Sequence, residues 1–159
     1  MNEPRQLQRA VNAFIEDVGT ALRDVVSRLP SVDPRLIDQD CATEAFNLVA
    51  ALIDTDRSHT DEELWGVIFA FHKWLPGELT LAKPDDLRKS NLFVGKAEWL
   101  AAPSPMLQIL TGADRKFGTV HSRTYYDRAL HVAFTVAALD DAPSRAELQA
   151  IDDLRNRML

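Results

Sequence analysis

The chain has 159 residues, 46% hydrophobic and 26% charged, which suits one folded domain with its own core and excludes a disordered chain. A formal net charge of -6, with scattered basic residues, excludes a general nucleic-acid binder, because phosphate calls for a basic patch. Cys41 is the only cysteine, which excludes an intrachain disulfide and a cysteine metal cluster. Residues 1–10 are polar and charged, unlike a secretory leader, and no apolar run is long enough to span a bilayer, so a cytoplasmic setting is expected.

The first element is a helix. Leu7, Val11, Phe14, Val18, Leu22, Val25 and Leu29 recur at steps of three and four, which gathers them on one stripe. The stripe is narrow enough for a coiled-coil seam with a second copy, but three heptads are few, and it suits one face packed in a bundle better. Pro30 and Pro34 separate it from a second helix, which begins at Pro34 or Asp40 and ends at Ile53. The expected buried face of that helix includes Ala45, Phe46, Val49 and Leu52. A third helix starts at Thr60 and carries Leu64, Val67, Ile68, Phe71, Trp74 and Leu75 inward, until Pro76-Gly77 ends it.

Residues 78–92 read as a connector with a short helical turn at Lys83-Pro84-Asp85-Asp86-Leu87-Arg88, where proline and acidic residues suit a helix start. Further helices are expected at Leu92–Ala101, at Met106–Lys116 with Gly118 as its stop, and at Ser122–Leu139. The last starts at a Ser144 cap and runs to the final residue. Ala102-Pro103-Ser104-Pro105 and Asp141-Ala142-Pro143 are breaks, and no segment shows strand alternation or a hairpin signal. The reading is all-α, a bundle of about seven helices. The pattern ends at Met158-Leu159 without a stop signal, as in a module taken from a longer protein or in a terminal helix docked on its own domain.

One pattern occurs twice. Val49-Ala50-Ala51-Leu52 leads to Asp54 and Asp56 and then to Thr60-Asp61-Glu62-Glu63-Leu64. Val136-Ala137-Ala138-Leu139 leads to Asp140 and Asp141 and then to Ser144-Arg145-Ala146-Glu147-Leu148. In each copy a hydroxyl residue stands three positions before a glutamate, the spacing of a capping box. Asp54, Asp56, Asp61, Glu62 and Glu63 offer the hard oxygen ligands that Ca2+ or Mg2+ prefer, with Asp140 and Asp141 joining only if the two loops converge. The stretch is no EF-hand: counted from Asp54, the sixth position is His59 rather than glycine and the twelfth is Trp65 rather than glutamate. The competing reading is that Asp54 ends one helix while Asp61, Glu62 and Glu63 favour the positive end of the next.

Asp56 through Glu63 and Asp140 through Glu147 resemble the helix–loop–helix units of the tellurite-resistance TerB-like family. That family shows an aspartate, a short loop, a Ser or Thr cap and a glutamate seven residues after the aspartate. Arg57 and Asp141 stand where the family usually has glycine, and His59 and Pro143 where it usually has an apolar residue. The resemblance implies a compact helical domain of two related halves, associated with stress responses. It would be a binding or regulatory module rather than a catalyst, joined to or assembled with a larger effector, with loop carboxylates able to take up divalent cations.

Nothing in the chain matches a phosphate-binding glycine loop, a serine elbow or a zinc-binding histidine pair. Cys41 lies among Asp40 and Glu44, which raise a thiol pKa, so a nucleophilic role is not expected. His72 and His131 would form a pair only if their helices packed together. Most aromatic residues are expected in the core. Trp65, directly after a core leucine, and Trp99, beside Glu98, are candidate partner anchors, with Phe93 in the variable Leu81–Trp99 stretch. The expectation is a non-catalytic interaction module with a protein partner, or alternatively a scaffold that dimerises through the first stripe.

Overall fold

The computed structural model describes residues 4–28, 37–55, 60–74, 83–90, 93, 95–139 and 145–157. Its elements are α1 (Pro4–Ser27), α2 (Ile37–Asp54), α3 (Asp61–Phe71), α4 (Pro84–Ser90), a 3-10 helix (Lys96–Ala101), α5 (Pro105–Phe117), α6 (His121–Ala137) and α7 (Arg145–Arg157). The protein is all-α, with no strand among the described residues. No helix among them is long and apolar enough to cross a membrane.

The α1 stripe is turned wholly inward. Leu7, Val11, Phe14 and Val18 are 0% exposed and Leu22 is 8% exposed, packed against α3 and α6 with α2 alongside. Leu29 lies outside the described residues. The stripe that could have formed a coiled-coil seam is therefore spent within one chain. Phe14 meets Tyr125 of α6 edge to ring, with centroids 5.4 Å apart.

α2 is buried more completely than one face. Leu48, Val49, Ala50, Ala51, Leu52 and Ile53 are all buried in succession, because α1, α6 and the 3-10 helix surround it. A helix that is apolar all round belongs at the centre of a domain. Phe46 packs edge-on to Phe71 at 5.4 Å and stacks on Phe93 at 6.3 Å, tying α3 and the approach to the 3-10 helix onto α2.

Thr60 caps α3 as its spacing predicts. Its hydroxyl accepts from the Glu63 amide at 3.3 Å, and its own amide donates to Glu63 Oε1 at 3.2 Å. The helix ends at Phe71, short of the expected Leu75, and Trp74 lies in a turn whose amide donates to the Phe71 carbonyl at 2.9 Å. Pro76-Gly77, Asp141-Ala142-Pro143 and the Ser144 cap lie outside the described residues. At Gly66 an added Cβ would lie 2.9 Å from Leu139 Cδ1 and 3.2 Å from Leu7 Cδ2, so this glycine lets α3 press against α1 and the turn after α6.

The helix expected over Leu92–Ala101 is corrected. Gly95 adopts φ +76°, and only the 3-10 turns of Lys96–Ala101 follow. A left-handed residue cannot continue a right-handed helix, and Pro103 and Pro105 leave little room beyond. Ser104 then caps α5, accepting from the Leu107 amide at 3.1 Å with Pro105 in the first turn. Gly118 closes α5 at φ +70°, its amide donating to the Asp114 carbonyl at 2.9 Å.

Candidate functional site

The first acidic stretch spans the end of α2 and the start of α3, and its described carboxylates diverge. Asp54 Oδ2 accepts from the Ala97 amide at 3.1 Å, anchoring the 3-10 helix to the end of α2. Asp61 pairs with Arg88 of α4, whose guanidinium also reaches Asp85 at 2.6 Å. That contact to Asp61, followed by the one to Asp85, holds the Arg88 pKa above its usual value. Glu62 is exposed on the first turn of α3. Glu63 points the other way and is 0% exposed, occupied with the cap at Thr60. Among the described residues, no three His, Cys, Asp or Glu side chains gather in a geometry that could hold a metal ion. Asp56, Asp140 and Asp141, the remaining candidate ligands, lie outside the described residues.

The aromatic candidates separate cleanly. Trp65 and Phe69, one turn apart on α3, are each 39% exposed, with ring centroids 6.4 Å apart. Phe69, expected in the core with most aromatics, is thus on the surface. Phe93 is the reverse correction: at 1% exposure and stacked on Phe46, it is a core residue unable to anchor a partner in this fold. Trp99 is partly buried against the core. His72 follows at the α3 C-terminus and, like Lys73 beside it, is exposed. Asp61, Glu62, Trp65, Phe69, His72 and Lys73 therefore recur at helical spacing on the outer side of α3, acidic at one end, aromatic in the middle and basic at the other.

Two buried or half-buried polar clusters escaped the sequence. Glu44 of α2 is 7% exposed, and its Oε2 accepts from the Ser104 hydroxyl and the Tyr125 hydroxyl, both at 2.5 Å. Burial pushes the Glu44 carboxyl above its usual range, against the downward pull of the two hydroxyl donors. Burial, reinforced by the Glu44 charge, likewise raises the Tyr125 phenol. A carboxylate inside Cys41-Ala42-Thr43-Glu44-Ala45-Phe46 was a visible oddity, but partners 60 and 81 residues away were not. The cluster cross-ties α2, the α5 cap and α6.

In the second cluster, Asp114 of α5 caps the start of α6. Its carboxylate accepts from the Thr119 hydroxyl at 2.5 Å, the His121 amide at 2.8 Å, the Ser122 amide at 2.9 Å and the Ser122 hydroxyl at 2.7 Å. Burial works to raise this carboxyl, but the Ser122 and Thr119 hydroxyls and the two amides outweigh it and hold it below its usual value. His121 Nε2 lies 2.7 Å from Asp24 Oδ2, joining α6 to the end of α1, and this hydrogen bond is the main reason the Asp24 carboxyl is lowered. Among the described histidines, His121 is hydrogen-bonded to Asp24, while His72 and His131 are both exposed.

Cys41 is fully buried, and burial, with Asp38 and Asp40 nearby, pushes its thiol up to about 12. It stays protonated at neutral pH and is a poor nucleophile there. The described geometry therefore presents an all-α domain with an aromatic, charge-flanked helix face on its surface. Compared with protein-family models, with curated proteins and with solved structures, the chain finds no match.

Proposed function

We propose that this protein is a non-catalytic interaction or regulatory module of the cytoplasm, and that the outer face of α3 is where it meets its partner. The carrying observation is the exposed Trp65–Phe69 pair on a helix held rigid by a capping box, a close glycine contact and the Arg88–Asp61 pair. Aromatic side chains presented on a rigid element anchor protein interfaces, since they contribute large apolar area at low entropic cost. The TerB-like resemblance of Asp56–Glu63 points to the same class, a stress-associated binding domain working with a larger effector. Its cation-binding aspect now rests on Asp56, Glu62, Asp140 and Asp141, because Asp54, Asp61 and Glu63 have protein partners. Dimerisation through the α1 stripe draws no support from the packing, which buries that stripe against α3 and α6.

The test is affinity purification from the source cells, comparing wild type with a Trp65→Ser/Phe69→Ser variant whose helical circular dichroism is checked. Loss of specific co-purifying proteins in the variant is the expected result. An unchanged set of partners overturns the assignment of the face. In parallel, a melting scan with EDTA, Ca2+ and Mg2+ on wild type and Asp56→Asn reads the cation aspect, since a ligand stabilises the state it binds.

A further inference from the structure

The outer face of α3 is complementary to itself. Read from Asp61 to Lys73, it carries two acids, then Trp65, then Phe69, then two basic-type residues, spaced evenly about Val67. His72 keeps right-handed helical backbone angles (φ -58°, ψ -30°), so the face continues past the end of the helix proper. If two copies of α3 lie antiparallel about a two-fold axis at the level of Val67, Trp65 of one falls opposite Phe69 of the other. The same axis sets the Asp61-Glu62 pair of each copy opposite the His72-Lys73 pair of the other, at both ends of the contact. An isologous interface requires this kind of self-matching, in which each residue's partner is also partnered by it. Antiparallel helices also place each acidic N-terminal turn beside the other copy's C-terminal end.

We infer that the partner of this face is a second copy of the same chain, joined by antiparallel α3–α3 pairing with Trp65 and Phe69 interleaved at the centre. The inference rests on the interaction reading above and names its partner. The intrachain contacts leave the required groups in place. Glu62, Trp65, Phe69 and His72 are exposed, Asp61 shares its charge with Arg88, and Lys73 lies 5.2 Å from the Trp74 ring centre. Four half-exposed rings and a charged rim make a contact below the roughly 1,000 Å² typical of stable complexes, so the dimer is weak, with Kd on the order of tens to hundreds of micromolar.

Sedimentation equilibrium of the full chain from about 1 µM to about 1 mM tests this, a range bracketing weak association. Wild type is expected to shift from monomer to dimer, and Trp65→Ala to stay monomeric. Glu62→Lys sets a lysine against the His72-Lys73 pair and His72→Glu sets a glutamate against Glu62, at both ends of the contact, and each should weaken the dimer about tenfold or more. Mixing the two single variants restores opposite charges at both ends. At one end the lysine introduced at position 62 meets the glutamate introduced at position 72, and at the other the native Glu62 of one variant meets the native His72 of the other. The mixture should dimerise about as well as wild type. A monomer throughout overturns the inference, as does a dimer insensitive to these substitutions or a mixture no better than its components. If the wild type is monomeric while the Trp65→Ser/Phe69→Ser variant loses co-purifying proteins, the second-copy inference falls and the interaction reading stands. All substituted positions are exposed, so circular dichroism serves to confirm that the fold is kept.

Discussion

Glu44 shows how much one side chain depends on its neighbours. A buried carboxylate is costly unless its oxygens receive hydrogen bonds, and here Ser104 and Tyr125 both donate to the same oxygen. Those donors offset burial only in part, so the folded protein holds the Glu44 proton more tightly than an unfolded chain does. The sign follows. Below the ordinary carboxylate value of 4.5 the group is protonated in both states, and its favourable contribution is complete. As pH rises through the raised folded value, the unfolded chain releases the proton first and that contribution is lost. Glu44→Gln removes the titration while keeping an acceptor for both hydroxyls. The stability of wild type relative to Glu44→Gln should therefore be greatest near pH 4 and decline toward pH 7, measured by urea denaturation across that range. A difference that rises with pH, or stays flat, contradicts the burial argument.

The elements were legible to the degree that their signals are local. The α1 stripe, the Thr60 cap and the Gly118 stop could be read because each involves residues within a few positions of one another. The 3-10 helix departs from the expected α-helix: Leu92–Ala101 has helical composition, but Gly95 takes a left-handed turn, which glycine permits without its presence announcing it. α6 is the least local case. Val120, at its cap position, offers no side-chain hydrogen bond, and Asp114 from the preceding helix serves instead. A carboxylate satisfying the first amides of a helix also favours the positive end of its dipole. Asp114→Ala should cost about 1–2 kcal/mol at neutral pH, the usual cost of losing a cap. Because the folded Asp114 carboxyl is held below 3.8, that contribution is present above 3.8 and disappears as pH falls through the lower folded value. Thermal melts of wild type and Asp114→Ala at pH 7 and at pH 2.5–3 would show the gap closing in acid.

At the scale of the molecule, apolar periodicity is enough to specify an all-α fold, since helices so patterned must cover one another. It does not say which faces remain outside. Trp65 and Phe93 carry similar apolar rings in the sequence, yet one is half-exposed and the other stacked on Phe46, and only packing separates them. The acidic stretch was misleading for a related reason. Its residues are neighbours in sequence, but Asp54, Asp61 and Glu63 turn to the 3-10 helix, to α4 and to the core edge.

The sequestered thiol of Cys41 has a practical consequence. It is the only cysteine, sits on the central helix, and is 0% exposed with its pKa pushed up to about 12. A thiol-reactive dye can reach it only when the packing around α2 opens, and the newly solvated sulfur then ionises far more readily. The native chain thus carries its own clock for opening, needing no engineered tag. Labelling should be slow in buffer, limited by how often the bundle opens, and should accelerate in urea in step with the loss of helical circular dichroism. Fast labelling in buffer alone would mean that the centre of the bundle breathes independently of the whole.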